Sequence, residues 1–114
     1  MNLRKMHCAP LSADTKPLDD KEENDLIKEL KEWKLNREEV HKLTRTIKTE
    51  TFPDAINLIG LLARVSQEEQ HHPDLHLYYN KLVLDLYSHK VGGLSMNDFI
   101  LAAKFDEIIE STFH

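Results

Sequence analysis

The sequence predicts a single α+β domain, with three helices packed on one face of a four-stranded antiparallel sheet. Three observations carry this prediction. Stretches of helical apolar spacing and stretches of alternating apolar spacing follow each other as helix, two strands, helix, two strands, helix. The strands come in adjacent pairs joined by short turns, which favours an antiparallel sheet with its helices gathered on one face. Finally, a chain of 114 residues has room for one hydrophobic core and not two.

Residues 1–17 hold Pro10 and Pro17 with Ser12, Ala13, Asp14 and Thr15 between them, and read as an extended or loosely docked leader ahead of the domain at 18–114. From Asp19, the spacing of Leu26, Ile27, Leu30 and Trp33 predicts a helix over 19–31, and acid in its first turn (Asp19, Asp20, Glu22, Glu23) complements the helix dipole. Two strands follow over 33–37 and 40–50, the second rich in β-branched residues. Thr51 with Asp54 suits a capping box and Pro53 a first helical turn, so a second helix runs to about Gln70. Its apolar positions (Ala55, Ile56, Ile59, Leu62, Ala63 and Val65) make it the expected core helix.

Pro73 ends that helix, because the residue before a proline is driven out of the α region. Leu75, Leu77 and Tyr79 then alternate, and Leu82, Leu84 and Leu86 alternate with the opposite parity. A parity switch at Asn80-Lys81 is what a tight hairpin turn produces. After a turn at Val91-Gly92-Gly93-Leu94, Ser95 and Asp98 form a second capping-box pattern. Phe99, Ala102, Ala103, Phe105 and Ile109 carry the last helix.

Composition narrows the function classes. The net charge is −5 with histidines neutral, which argues against a nucleic-acid binder with its basic stripe. No apolar run approaches the roughly 20 residues that span a bilayer, and the basic first residues lack the apolar stretch of a signal peptide. Cys8 is the one cysteine, so no intrachain disulfide forms and a cytoplasmic location is expected.

Seven histidines are the unusual number, and three of them sit where a cleft would be. His71 and His72 end the core helix just before Pro73, and His89 ends the fourth strand at the lip of the sheet. A histidine at a helix C-terminus complements the dipole without any chemistry, and a histidine at a strand end is often merely solvated. Asp98 stands where a capping box wants an acid, which by itself explains it; capping and orienting a histidine are compatible. Strand parity puts His89 on the face of Val83, Asp85 and Tyr87. His71, His72, His76 and His89 offer nitrogens to a metal, but adjacent histidines do not readily ligate one ion, and no His-x-x-x-His helix is present. No metal and no cofactor is expected.

Taken together, Gln70-His71-His72-Pro73-Asp74, Tyr79-Asn80-Lys81, Ser88-His89-Lys90, Gly92-Gly93-Leu94-Ser95 and Asp98 resemble the pterin-4a-carbinolamine dehydratase family. His89 follows His71 by 18 positions and Asp98 follows His89 by nine, and a weaker likeness reaches back through Ala55 and Phe52 to Trp33. The resemblance implies the same three-helix, four-strand fold and a homodimer or homotetramer. It also implies the reaction, loss of water from a 4a-hydroxy-tetrahydropterin to give quinonoid dihydropterin, in support of tetrahydropterin recycling. By similarity His71 and His89 are the acid and base, His72 a binding and polarising contact, and Asp98 the residue that orients a histidine. Gln67, Pro73 and Ser88 are implied contacts of the substrate. The family commonly carries glutamate four residues before the first histidine, where this chain has Gln67, which still hydrogen-bonds without a charge.

Imidazole titrates near pH 6.5, so histidines serve as acid and base at cellular pH without a cofactor. The competing expectation is a non-catalytic protein on the same fold, acting as a dimerisation cofactor or an assembly partner; relatives of that kind would be expected to lose the histidines this chain keeps. Self-association is expected from the residues as well. Four strands leave open edges, and the 51–70 helix is apolar on two sides: Ile56, Ile59 and Ala63 for the sheet, Leu58, Leu61, Leu62 and Val65 partly elsewhere.

Overall fold

A computed structural model describes residues 1–113. The elements run α1 (Asp20–Leu26), β1 (Lys34–Asn36), β2 (Lys42–Lys48), α2 (Phe52–Glu69), β3 (Asp74–Tyr78), β4 (Lys81–Leu86) and α3 (Met96–Thr112), with short 3₁₀ turns at Leu3–Lys5 and Ile27–Glu29. This is the predicted α+β order. The sheet order is β1-β2-β4-β3, every pair antiparallel, which leaves β1 and β3 as edges. Leu43, Ile47, Leu82, Leu84 and Leu86 point from β2 and β4 into the helix-covered core, each 8 % exposed or less. Thr44 and Asp85, paired across the strands, bond on the outer face at 2.7 Å. Burying one such leucine contributes about 1.5–3 kcal/mol, so the alternation holds the register: a one-residue slip would turn the whole apolar row to solvent.

Several boundaries move. The first helix holds only to Leu26 before tightening into the 3₁₀ turn, and Asp19 caps it by accepting from Glu22 N at 2.8 Å while Glu22 accepts from Asp19 N at 3.0 Å. The hairpin turns at Tyr79-Asn80, one residue earlier than expected, because Tyr78 pairs with Lys81. Tyr79 carries the positive φ of 57° that this tight turn demands. The fourth strand stops at Leu86, so His89 lies three residues beyond it, in a turn where Ser88 bridges to Gly93.

The larger correction concerns the helices. α2 buries only Ala55, Leu58, Leu62 and Ser66, whereas α3 buries ten residues from Asn97 to Ile109. α3 is therefore the core helix. On α2 the core face is the i, i+3, i+7, i+11 row, so Leu58 and Leu62 face inward, while Ile56 (46 % exposed), Leu61 (40 %) and Ala63 face outward. α3 is tied to the sheet by a buried bridge: Asp106 accepts from Trp33 Nε1 at 2.7 Å and pairs with Arg45 of β2. Burial pushes the Asp106 carboxyl above its usual range, with Trp33 and Arg45 pulling the other way. This bridge and the packing of Phe99 and Phe105 hold the helix whose first turn carries Asp98.

Candidate active site

The end of α2, the start of α3 and the loop after β4 meet around one cleft of about 550 Å³. α2 stops by a Schellman motif: His71 N donates to Ser66 O at 3.1 Å and Gln70 N to Gln67 O at 3.3 Å, with Gln70 in the left-handed region at φ 55°. That turn, followed by Pro73, throws His71 inward and His72 outward.

His71 is 9 % exposed and its Nε2 donates to Asp98 Oδ1 at 2.6 Å. Asp98 is wholly buried and takes two further bonds on Oδ2, from Ser95 N at 2.9 Å and from Ser88 Oγ at 2.8 Å. Ser95 Oγ lies 2.7 Å from Ser88 Oγ; with Ser88 donating to Asp98, the Ser95 hydroxyl donates to Ser88. Asp98 thus caps α3 and holds His71 with the same carboxylate, and its three donors compensate for the water it has lost. The bond also selects a tautomer. With the proton on Nε2, the neutral His71 ring keeps Nδ1 as its acceptor nitrogen.

His72 is exposed, and its Nε2 donates to Gln67 Oε1 at 3.1 Å. His89 is exposed in the turn after β4, its ring packed on Tyr87 with centroids 4.1 Å apart. His71, His72, Pro73, Ser88 and His89 line the cleft together, whereas Gln67 and Asp98 do not. Asp98 stands behind His71, and Gln67 touches His72. Also on the lining are Asp74 and Lys90, beside the motif histidines in sequence, and Ala9, Pro10, Leu11, Glu69, Gln70 and Asn97. Nothing in the sequence signals Ala9 to Leu11 as site residues, since their bonded partner Asn97 is 88 positions from Ala9.

Glu69 accepts from Cys8 N at 2.7 Å and from His7 Nδ1 at 2.8 Å, with Lys104 Nζ at 3.9 Å. Burial pushes its carboxyl up, but these bonds and the Lys104 charge prevail and hold it below the ordinary carboxylate range. Burial, with Glu69 adding to it, pushes the Cys8 thiol up to about 12, so it stays protonated and unreactive. Among the described residues, the side chains whose ligand atoms converge as a metal would need are Asp20, Glu23 and His41, away from the cleft. There Glu23 already bonds Arg37 Nε at 2.9 Å and His41 Nδ1 at 2.9 Å. No helix of the described residues is long and apolar enough to cross a membrane.

The chain is thus a small three-helix, four-strand α+β domain in which a buried histidine and carboxylate pair where two helix ends meet. Residues 16–108 match the family described as pterin 4 alpha carbinolamine dehydratase. The chain belongs to that family. A Chlorobium luteolum relative that bears the dehydratase name provisionally is 37 % identical over 109 residues, covering 95 % of this chain and 96 % of its own. A crystal structure of a transcriptional coactivator/pterin dehydratase from Brucella melitensis is similar with TM-score 0.76 and 25 % identity, over 82 % of this chain and 98 % of that one. A pterin dehydratase-like protein identified as a RuBisCO assembly factor in the alpha-carboxysome shares the fold, with TM-score 0.58, 15 % identity, and coverage of 69 % and 90 %.

Proposed function

We propose that this protein dehydrates a 4a-hydroxy-tetrahydropterin by general acid and base catalysis with His71 and His89. The observation that carries the reading is the 2.6 Å bond from His71 Nε2 to buried Asp98, which presents Nδ1 of the neutral ring as a base of fixed orientation. His71 takes the proton from the ring nitrogen next to the hydroxylated carbon. His89 gives a proton to the departing hydroxyl, which leaves as water, and the electron pair of the N–H bond forms the carbon–nitrogen double bond of the quinonoid product. His72 and Ser88 bind the ring, Pro73 stiffens the corner, and Gln67 positions His72. Each placed acid or base supplies roughly 10²–10⁴ in rate, suited to a step that already proceeds unaided. No metal or cofactor takes part.

Purified protein should accelerate decay of the 4a-hydroxy-tetrahydropterin absorbance with no metal added and with chelator present. The assignment of roles is read from the pH profile: His71→Ala should remove the acidic limb and His89→Ala the alkaline limb. No acceleration by intact protein would overturn the enzyme reading in favour of a partner or assembly protein. Loss of rate with chelator would point to a metal.

The outward side of α2, with Ile56 and Leu61, and the open edges β1 and β3 support a homodimer or homotetramer. Light scattering at micromolar concentration should report one of these, and Leu61→Glu should reduce the size.

A further inference from the structure

The apolar part of the cleft comes from the leader. Of the four apolar residues on its lining, Ala9, Pro10 and Leu11 belong to the first seventeen residues, and only Pro73 belongs to the histidine corner. A planar ring bound at that corner needs an apolar surface against its face, and the leader is the part of the chain that offers one.

This stretch is held at defined points. Asn97, 5 % exposed, clamps Ala9 on both sides: its Oδ1 accepts from Ala9 N at 2.9 Å and its Nδ2 donates to Ala9 O at 2.8 Å. Glu69 accepts the Cys8 N–H at 2.7 Å. Lys90, next to His89, donates to Leu11 O at 3.4 Å, tying the segment to the loop that carries the second histidine. Both flanks are anchored as well. Leu3 is 4 % exposed within the core cluster, and Leu18 N donates to Leu94 O at 2.8 Å. Pro17 lies so close to Gly93 that a Cβ added there would come within 3.1 Å of Pro17 Cβ.

A segment whose task was to cover the core would bury its side chains. Here the backbone is held while the side chains of Ala9 and Pro10 remain exposed at the cleft. We propose that His7–Leu11 is a substrate strap, which lies against the face of a bound planar bicyclic heterocycle and sets its affinity. This rests on the dehydratase reading of the cleft. The strap carries neither His71 nor His89, so it acts on binding and leaves the proton transfers to the histidines.

The amides of Cys8 and Ala9 report the strap directly, since both donate to side chains. Saturating dihydropterin, a non-reacting ring of the substrate's shape, should slow their hydrogen exchange by roughly tenfold. Asn97→Ala should free the Ala9 amide and raise KM roughly tenfold, with kcat held within about threefold. Asn97 itself lines the cleft, so Leu3→Ser serves as a release from a distance and should shift exchange and KM in the same directions. Leu11→Gly trims the wall while leaving the Asn97 and Glu69 bonds in place, and should raise KM if Leu3→Ser does not fold. Unchanged amide exchange with dihydropterin bound, or a freed strap with unaltered KM, overturns the proposal. A protein that binds dihydropterin and slows these amides, yet turns nothing over, would retain the strap and refute the dehydratase reading instead.

Discussion

His71 and His89 share one cleft in opposite surroundings. His71 is buried and bonded to a carboxylate that is itself fixed by a helix cap and a serine relay. His89 sits exposed on a turn and is steadied by its ring contact with Tyr87. Under the proposed mechanism the difference teaches how one small domain can fit two like groups to unlike tasks. Burial with a fixed partner selects one tautomer and one orientation, while exposure leaves a ring free to exchange its proton with solvent.

Removing either imidazole tests the comparison most severely. His71→Ala and His89→Ala should each lower the rate roughly 10²–10⁴-fold, and the double variant should lose far less than the product if the two act as a pair. Full additivity would show two independent groups. The supports should then behave unequally. Asp98→Ala should cost activity on the order of 10²-fold and, by stranding the Ser95 N–H and the Ser88 hydroxyl, about 2–4 kcal/mol of stability in a denaturant titration. Tyr87→Ala should cost roughly tenfold in kcat or less and little stability, because it removes one ring contact at an exposed site. Equal losses for the two would erase the distinction.

Gln67 offers a finer adjustment. It accepts from His72 through a neutral oxygen, and Gln67→Glu keeps an acceptor while adding charge, so a gain of a few-fold in pterin binding or turnover is expected if that charge is needed. A neutral result for Gln67→Glu and for Gln67→Ala would show that this corner does not limit the reaction. Glu69 also lines the cleft, but its carboxylate is engaged by the Cys8 amide and by His7.

The smallest effect is one of pH. The Glu69 carboxyl lies lower in the folded protein than its ordinary value of 4.5, so its contribution to holding Cys8 and His7 is complete above that pH. It is lost as the pH falls through the lowered folded value. Exchange at the Cys8 amide, corrected for its intrinsic pH dependence, should therefore rise in acid, and Glu69→Gln should flatten the response.

The motif histidines were legible because chemistry and chain punctuation coincide there. Pro73 forces the helix to end, and the helix end is where His71 and Asp98 meet. The ranking of the helices was not legible. α2 and α3 carry comparable apolar runs, and no local pattern says which one the sheet, the first 3₁₀ turn and the other helix will enclose. α3 is the enclosed one, so the inward row of α2 begins at Ala55 and leaves Ile56 outside. Alternation through Tyr87 predicts a strand end at His89, whereas the bridge from Ser88 to Gly93 curls the chain away after Leu86.

Taken alone, the sequence determined the element order, the two strand pairs, the helix caps and the residues able to carry proton transfer. Those are local matters of periodicity, proline and glycine geometry, and the ionisation of imidazole. Tertiary structure alone decided that Asp98 reaches back 27 positions to His71, that Gln67 and Asp98 stay off the cleft lining, and that Ala9 to Leu11 wall it. Such contacts join residues far apart in the chain, and they follow from how the helix ends pack on the sheet.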